Sequence, residues 1–139
     1  MIYDVDITIP ANTTESNAIK TDIKVALGVI HQFDIVFPAG CAGLVYTRLQ
    51  DGAHPVVPST AGMNLSGDGI QITGKEFYEI DTEPTVLSVY SWNLDDTYAH
   101  TITWRLYVLP KDVLLPTAAT EGFLGALKSL FIRRKTYTP

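Results

Sequence analysis

Short segments in which apolar and polar residues alternate run through most of the chain, and this pattern restricts the fold more than any other feature. In residues 3–9, YDVDITI, every second residue is apolar and the residues between them are polar. A period of two is typical of a strand with one buried face. Seven further segments of this kind lie at residues 18–27, 29–37, 44–50, 70–73, 76–80, 85–94 and 100–109. The sequence therefore predicts about eight β-strands, and no helix before Pro116.

This order of elements predicts an all-β fold. Parallel α/β folds are excluded because they need helices between their strands. We predict an antiparallel two-sheet β-sandwich, with an eight-stranded jelly roll as the first choice. A closed barrel or an immunoglobulin-like topology is the alternative. We also expect residues 85–94 and 100–109 to pair across the turn DDTY, and residues 53–69 to form the longest irregular stretch.

A chain of 139 residues is long enough for one domain with a buried core. Hydrophobic residues make up 46%, which excludes extended disorder. We assign residues 1–110 to the sandwich and residues 111–139 to a linker, an amphipathic helix and a basic C-terminal arm. No stretch approaches the ~20 apolar residues of a membrane-spanning helix. The first ten residues lack the basic patch and apolar run of a secretion signal, so we expect none.

The C-terminal segment follows a helical period. Its apolar residues fall within an arc of about 120° on a helical wheel, and they are Phe123, Leu124, Leu127, Leu130 and Phe131. A basic group follows them, Arg133, Arg134 and Lys135. A helix of about twelve residues is marginally stable alone in water, so its apolar face requires a surface to dock on. We predict that these eight residues bind a partner; docking on the chain's own sandwich is the alternative.

Charge is distributed unevenly along the chain. Residues 1–116 hold six basic and fourteen acidic residues, a net charge of −8, whereas residues 117–139 hold four basic and one acidic, a net charge of +3. An acidic body repels nucleic acids and anionic membranes, so we expect neither as a direct partner. The basic segment is attracted to acidic surfaces, including the body of another copy, which favours head-to-tail contact between copies.

The three histidines are the first candidates for metal ligands. A cupin-type site would need two histidines one residue apart on a strand and a nearby carboxylate. Near His31 the sequence offers only Asp34, which we place on the opposite face of the strand. We expect His100 to form a hydrogen bond within the sandwich and His54 to lie in a loop. The sequence predicts no metal and no cofactor.

Other candidate motifs are also incomplete. The segments Asn93–Asp96 and Ser66–Gly69 resemble fragments of calcium loops but lack the spaced oxygen ligands of an EF-hand. We interpret them as turns stabilised by Asn and Asp side chains. The single cysteine, Cys41, excludes an internal disulfide, and we expect it to be buried. Since no G-x-S-x-G motif or phosphate-binding glycine loop occurs either, we predict that the protein is not an enzyme.

Aromatic residues are concentrated near the end of the strand region, and they are Tyr90, Trp92, Tyr98, Trp104 and Tyr107. A carbohydrate-binding module would expose such rings on one sheet face. Core packing is the preferred interpretation, above all for Trp104, which shares its strand face with Ile102 and Leu106. Tyr46, Arg48 and Gln50 share a face of their strand and form a candidate polar contact surface.

The stretches VIHQFDIVFPAGCAGLVYTRLQDGAHPVVPS and NLDDTYAHTITWRLYVLP delimit a body that resembles the small jelly-roll structural proteins of tailed phages and related virions, of the decoration, vertex or adaptor type. The resemblance spans roughly residues 1–110 and concerns the strand pattern. It implies a sandwich on a capsid surface, often in a symmetric homo-oligomer, and a terminal arm anchored to the major capsid protein or the next copy.

From this resemblance we predict a non-enzymatic virion structural protein, assembled in the host cytoplasm, whose partners are the major capsid protein or other virion proteins. A carbohydrate- or receptor-binding sandwich is the alternative. A cupin-like enzyme is the third candidate, and it would require three or more convergent ligands.

Overall fold

A computed structural model describes residues 1–114, which fold into two antiparallel sheets packed face to face. The nine strands are β1 Ile2–Ile9, β2 Ile19–Lys24, β3 Gly28–Phe37, β4 Val45–Asp51, β5 His54–Val57, β6 Leu65–Ser66, β7 Ile70–Ile80, β8 Val86–Asn93 and β9 His100–Leu109. A 3₁₀ turn at Glu15–Asn17 and a four-residue helix, α1, at Lys111–Leu114 complete the elements. Both short helical elements precede Pro116, where the sequence predicted none.

The strand order is that of a jelly roll. One sheet has the order β1-β9-β3-β7, and the other has the order β2-β8-β4-β5 with the short strand β6 beside β4. Apart from β5 and β6, successive strands therefore alternate between the two sheets. This arrangement of eight main strands is the jelly-roll topology, and the predicted fold class is confirmed.

The core lies between the sheets and is filled by the apolar residues of the alternating segments. Its largest fully buried side chains include Trp104, Phe37, Ile30 and Ile35, all at most 1% exposed. The Trp104 indole Nε1 donates a hydrogen bond to Thr47 Oγ1 at 2.9 Å, and the Thr47 and Ser91 hydroxyls lie 2.9 Å apart. The expected core position of Trp104 is therefore confirmed, and its polar atom is satisfied in the interior.

Strand β7 is one continuous strand, although the sequence predicted two short strands separated at Gly74–Lys75. Gly74 pairs with Phe33 of β3, and a Cβ atom at position 74 would collide with the Phe33 ring. The glycine therefore makes room for a neighbouring aromatic side chain and does not end the strand. Residues 53–69, predicted to be irregular, contain the short strands β5 and β6.

The predicted pairing of the last two long strands is wrong. Strand β8 pairs with β2 and β4, whereas β9 pairs with β1 and β3 in the other sheet. Residues 94–99 therefore cross from one sheet to the other and do not form a hairpin turn. The Asn93 amide stabilises this crossing by donating to the backbone oxygens of Ile9 and Tyr98, at 3.2 and 2.9 Å.

No helix within residues 1–114 has the length and apolar character needed to cross a membrane. The predicted amphipathic helix and basic arm lie outside the described residues, so that part of the predicted architecture stays a prediction.

Candidate partner-binding surface

The predicted partner-binding residues all lie beyond Leu114 and so outside the described residues; they are Phe123, Leu124, Leu127, Leu130, Phe131, Arg133, Arg134 and Lys135. What the structure does describe is the place on the sandwich from which this segment extends. Strand β9 ends there at Leu109. We call this the exit end, and it comprises residues 25–27, 52–53, 81–85 and 110–114.

The exit end depends on a close approach between strands β3 and β9. Strand β3 begins at Gly28, and a Cβ atom at this position would lie 2.5 Å from the carbonyl oxygen of Leu109. Only glycine avoids this collision, so Gly28 allows β9 to continue along β3 up to the point where the chain leaves the sheet. The Lys111 ammonium then lies 3.2 Å from the Glu79 carboxylate, which ties the start of α1 to strand β7.

A small groove opens beside the departing chain. It has a volume of ≈ 210 Å³, and we call it the exit groove; its lining residues are Leu27, Gly28, Glu79, Ile80, Asp81, Pro110 and Lys111. Leu27 is 49% exposed although it is apolar, and Val113 of α1 is 59% exposed. Apolar side chains are therefore presented to solvent at the same end of the sandwich from which the C-terminal segment leaves.

A larger, charged cleft is continuous with the exit groove, since Glu79, Ile80 and Asp81 line both. This acidic cleft has a volume of ≈ 360 Å³. Its walls carry one lysine, Lys20, and five carboxylates, which are Asp22, Asp51, Glu79, Asp81 and Glu83. The excess of negative charge makes this cleft attractive to cationic groups.

Most of the cleft carboxylates also hold neighbouring groups in place. Ser88 Oγ donates to Asp22 at 2.8 Å, and the Thr85 amide donates to Glu83 at 3.2 Å. Among the described residues, Asp81 alone of the five makes no side-chain hydrogen bond or ion pair. Asp81 and Glu83 are both exposed, so their charges face solvent at the mouth of the cleft.

Asp51 receives a hydrogen bond from the hydroxyl of Tyr78 at 2.7 Å. Burial, this hydrogen bond and the negative charge of Asp51 raise the pKa of Tyr78 to about 12. Tyr78 therefore stays a protonated donor over the physiological range. The His54 ring stacks on Tyr78 with a centroid distance of 5.9 Å. His54 is the first residue of strand β5, so its predicted loop position is wrong.

The other two histidines also have separate structural partners. His100 Nε2 lies 2.8 Å from Asp95 Oδ2, which confirms its predicted hydrogen bond. His31 packs edge-on against Tyr107 at 6.2 Å between ring centroids. In residues 1–114, no group of three or more His, Cys, Asp and Glu side chains is placed so that it could hold a metal ion.

The predicted placement of His31 and Asp34 on opposite faces is wrong. On the side of β9, Ile30 and Gln32 pair with the consecutive residues Val108 and Tyr107, so His31 is an extra residue in a β-bulge. Both side chains consequently contact Tyr107 on the outer face of the sheet, since the Tyr107 hydroxyl donates to Asp34 Oδ2 at 2.6 Å.

Asp34 lies at the centre of a hydrogen-bonded network on that outer face and is only 3% exposed. Besides Tyr107, Thr73 Oγ1 donates to it at 2.7 Å and Gln32 Nε2 at 3.4 Å. Burial raises the pKa of Asp34, but these hydrogen bonds and the nearby Arg105 charge lower it by more, so the net shift is downward. The network stabilises the ionised carboxylate.

We expect Asp34→Asn to lower the free energy of unfolding by about 1.5–3 kcal/mol at neutral pH, because hydrogen bonds to a buried charge are lost. The folded pKa lies below the unfolded one, so the stabilisation is present above the unfolded pKa and is lost as pH falls through the folded pKa. Urea unfolding at several pH values checks this. Asp4→Asn, at an exposed ion pair with Arg105, is the control and should cost under about 1 kcal/mol. Equal losses in the two variants would contradict the assignment.

The two calcium-loop-like segments serve as turns. Asp95 Oδ1 accepts from the amides of Thr97 and Tyr98, at 2.9 and 3.2 Å, which confirms the predicted Asp-stabilised turn. These two hydrogen bonds, together with the hydrogen bond between Asp95 and His100, lower the pKa of Asp95. Asp68 accepts from the Gly40 amide at 2.8 Å and so joins two loops across the end of the sandwich.

The aromatic residues are dispersed over the core and both outer faces. Trp92 is only 4% exposed, and its ring stacks on Tyr46 at 5.6 Å. Arg48 lies over the rings of Tyr90 and Trp92 at 5.1 and 5.3 Å, and it also pairs with Glu15. The predicted outward face of β4 is confirmed, since Tyr46, Arg48 and Gln50 alternate with buried residues. The Arg48 guanidinium therefore already contacts an acidic side chain and two aromatic rings of its own chain.

Cys41 is fully buried, as expected, and burial raises the pKa of its thiol. A thiol in this environment stays protonated and packs as a small apolar group.

No family model and no curated protein matches this sequence. Among solved structures, the hydroxypropylphosphonic acid epoxidase from S. wedmorenis is similar, with a TM-score of 0.40 and 7% sequence identity. A structure of FeII HppE gives the same values. In each case the likeness covers 76% of this chain and 43% of the other, so this chain spans less than half of the matched proteins.

Proposed function

We propose that this protein is a non-enzymatic virion structural protein that acts through protein–protein contacts as a capsid decoration, vertex or head-assembly component. The proposal rests on where the jelly roll places its apolar side chains and where it places its polar and charged side chains. The space between the sheets is filled by apolar side chains such as Trp104, Phe37 and Ile35, each at most 1% exposed. Charged and polar groups are presented on the outer faces and at the ends, where they are available to other proteins.

A carbohydrate-binding module is less well supported by the same distribution. Such a module needs exposed aromatic rings that lie in one plane. Trp92 is covered by Tyr46 and Arg48, and Trp104 lies in the core. Tyr98 is 67% exposed and Phe77 is 50% exposed, but Phe77 lies in strand β7 and Tyr98 in the 94–99 crossing, so the two rings do not share a sheet face.

Sedimentation velocity of the purified full-length chain tests the proposal. We expect an oligomer whose proportion rises with concentration, because sheet edges and the C-terminal segment present surfaces that need covering. A chain that stays monomeric at its highest soluble concentration, and that binds no particle, would contradict the proposal.

Elemental analysis of the same purified protein tests the cupin-like alternative. We expect no zinc, iron or manganese at one equivalent per chain, because His31, His54 and His100 each contact a different neighbour. Metal at one equivalent that is lost on substitution of two of these histidines would establish a metal site and overturn the non-enzymatic assignment.

A further inference from the structure

The exit groove and the acidic cleft form one continuous surface with an apolar part and a negative part. Leu27, Ile80 and Pro110 supply the apolar part, and Glu79 and Asp81 lie at the junction with the cleft. This surface lies at the end of the sandwich from which the chain departs, so any copy that presents its departing segment also presents the surface.

The C-terminal segment has the same two parts in sequence order. Five apolar residues between Phe123 and Phe131 come first, and the basic group Arg133, Arg134 and Lys135 follows. The helix predicted from the sequence, about twelve residues and ~18 Å long, would have the apolar residues along its length and the basic group at its end. The net charge of +3 on residues 117–139 is complementary to the five carboxylates of the cleft.

We propose that the exit groove and acidic cleft of one copy bind residues 117–139 of a second copy, and that the exchange is reciprocal. Both the departing segment and the receiving surface lie at the exit end, so two copies facing each other at this end satisfy both contacts about a two-fold axis. The attraction between the acidic body and the basic segment, which predicts head-to-tail contact from the sequence, also acts in this pair. Because both contacts are satisfied within the pair, assembly stops at two copies.

The two parts of the surface have different roles in this contact. Covering the exposed residues Leu27 and Pro110 with apolar side chains removes apolar area from water and supplies most of the affinity. The charges at the mouth of the cleft select the basic end of the segment, and so set its direction and speed its association.

This inference rests on the assembly role proposed above, and a charge exchange in the full-length chain tests it. One variant reverses the two charges at the mouth of the cleft, Asp81→Lys with Glu83→Lys. The other reverses the segment, Arg133→Glu with Arg134→Glu and Lys135→Glu. Each variant alone brings like charges together at the mouth of the cleft, whereas an equimolar mixture restores opposite charges there at both contacts. Glu76→Lys with Asp96→Lys is the matched control, since it reverses two acidic residues outside the cleft.

We expect each charge-reversed variant to associate with itself about tenfold more weakly than wild type at low salt. The mixture should associate about as tightly as wild type, and the control should be unaffected. Fluorescence-detected sedimentation with one component labelled measures these constants, and circular dichroism verifies that each variant is folded.

A mixture that associates no more tightly than either variant alone would overturn the proposal. The proposal is also wrong if wild type stays monomeric, or if association recovers only when one chain carries all five substitutions, because the segment then docks on its own sandwich. The test measures contact between copies and does not depend on a particle. Failure of the virion role, measured as absence from particles, is therefore a separate outcome.

Discussion

Removing residues 117–139 is expected to leave the sandwich folded and to abolish most self-association. Both sheets and the whole described core lie within residues 1–114, and β9 pairs on both sides. The free energy of unfolding should therefore change by less than ~1 kcal/mol, as for changes away from a buried core. Association should weaken strongly, because each Leu or Phe that is no longer buried forfeits ~1.5–3 kcal/mol.

Thermal unfolding and sedimentation of the truncated chain measure the two effects separately. Charge reversal of Arg133, Arg134 and Lys135 is the graded control, and its smaller effect should fade as salt is added. A truncated chain that is unfolded, while any remaining association is unchanged, would mean that the segment covers its own core and is not an assembly arm.

Substitution of Trp104 by alanine should have the largest effect on stability, a loss of about 3–5 kcal/mol. The side chain is fully buried between the sheets, and its removal leaves a cavity and deprives Thr47 of a hydrogen bond. Trp104→Phe should cost less, because it keeps an aromatic ring in the core. Urea unfolding of both variants measures the difference. Loss of less than about 1 kcal/mol in Trp104→Ala would show that the site is not packed as described.

The fold class followed from local alternation because each buried strand face needs every second residue to be apolar. The same reasoning failed at Gly74, because a glycine within an alternating segment indicates a turn when only its neighbours in sequence are considered. Its role depends on Phe33, a residue of another strand. Local signals could not contain that information.

The relation between β8 and β9 was also beyond local reasoning. A short polar turn between two strands suits a hairpin as well as a crossing between sheets. The side chain of Asn93 distinguishes them here, because it bonds to Ile9 in strand β1. Such a contact spans most of the chain and has no signature in the sequence around residue 93.

The exit groove and the acidic cleft were missed for a similar reason. The carboxylates of the cleft come from three separate parts of the chain, at Asp22, at Asp51 and within Glu79–Glu83, and only the jelly-roll topology brings them together. The sequence signal was limited to the overall acidity of residues 1–116. The complementary basic group was visible because Arg133, Arg134 and Lys135 are adjacent in sequence.

The virion assignment is tested most directly by the copy number of this protein in purified particles, measured by quantitative mass spectrometry against the major capsid protein. We expect a fixed ratio that persists through successive gradient purifications, because a structural component occupies equivalent positions on every particle. Absence from the particles, or a ratio that falls with each purification step, would contradict the assignment.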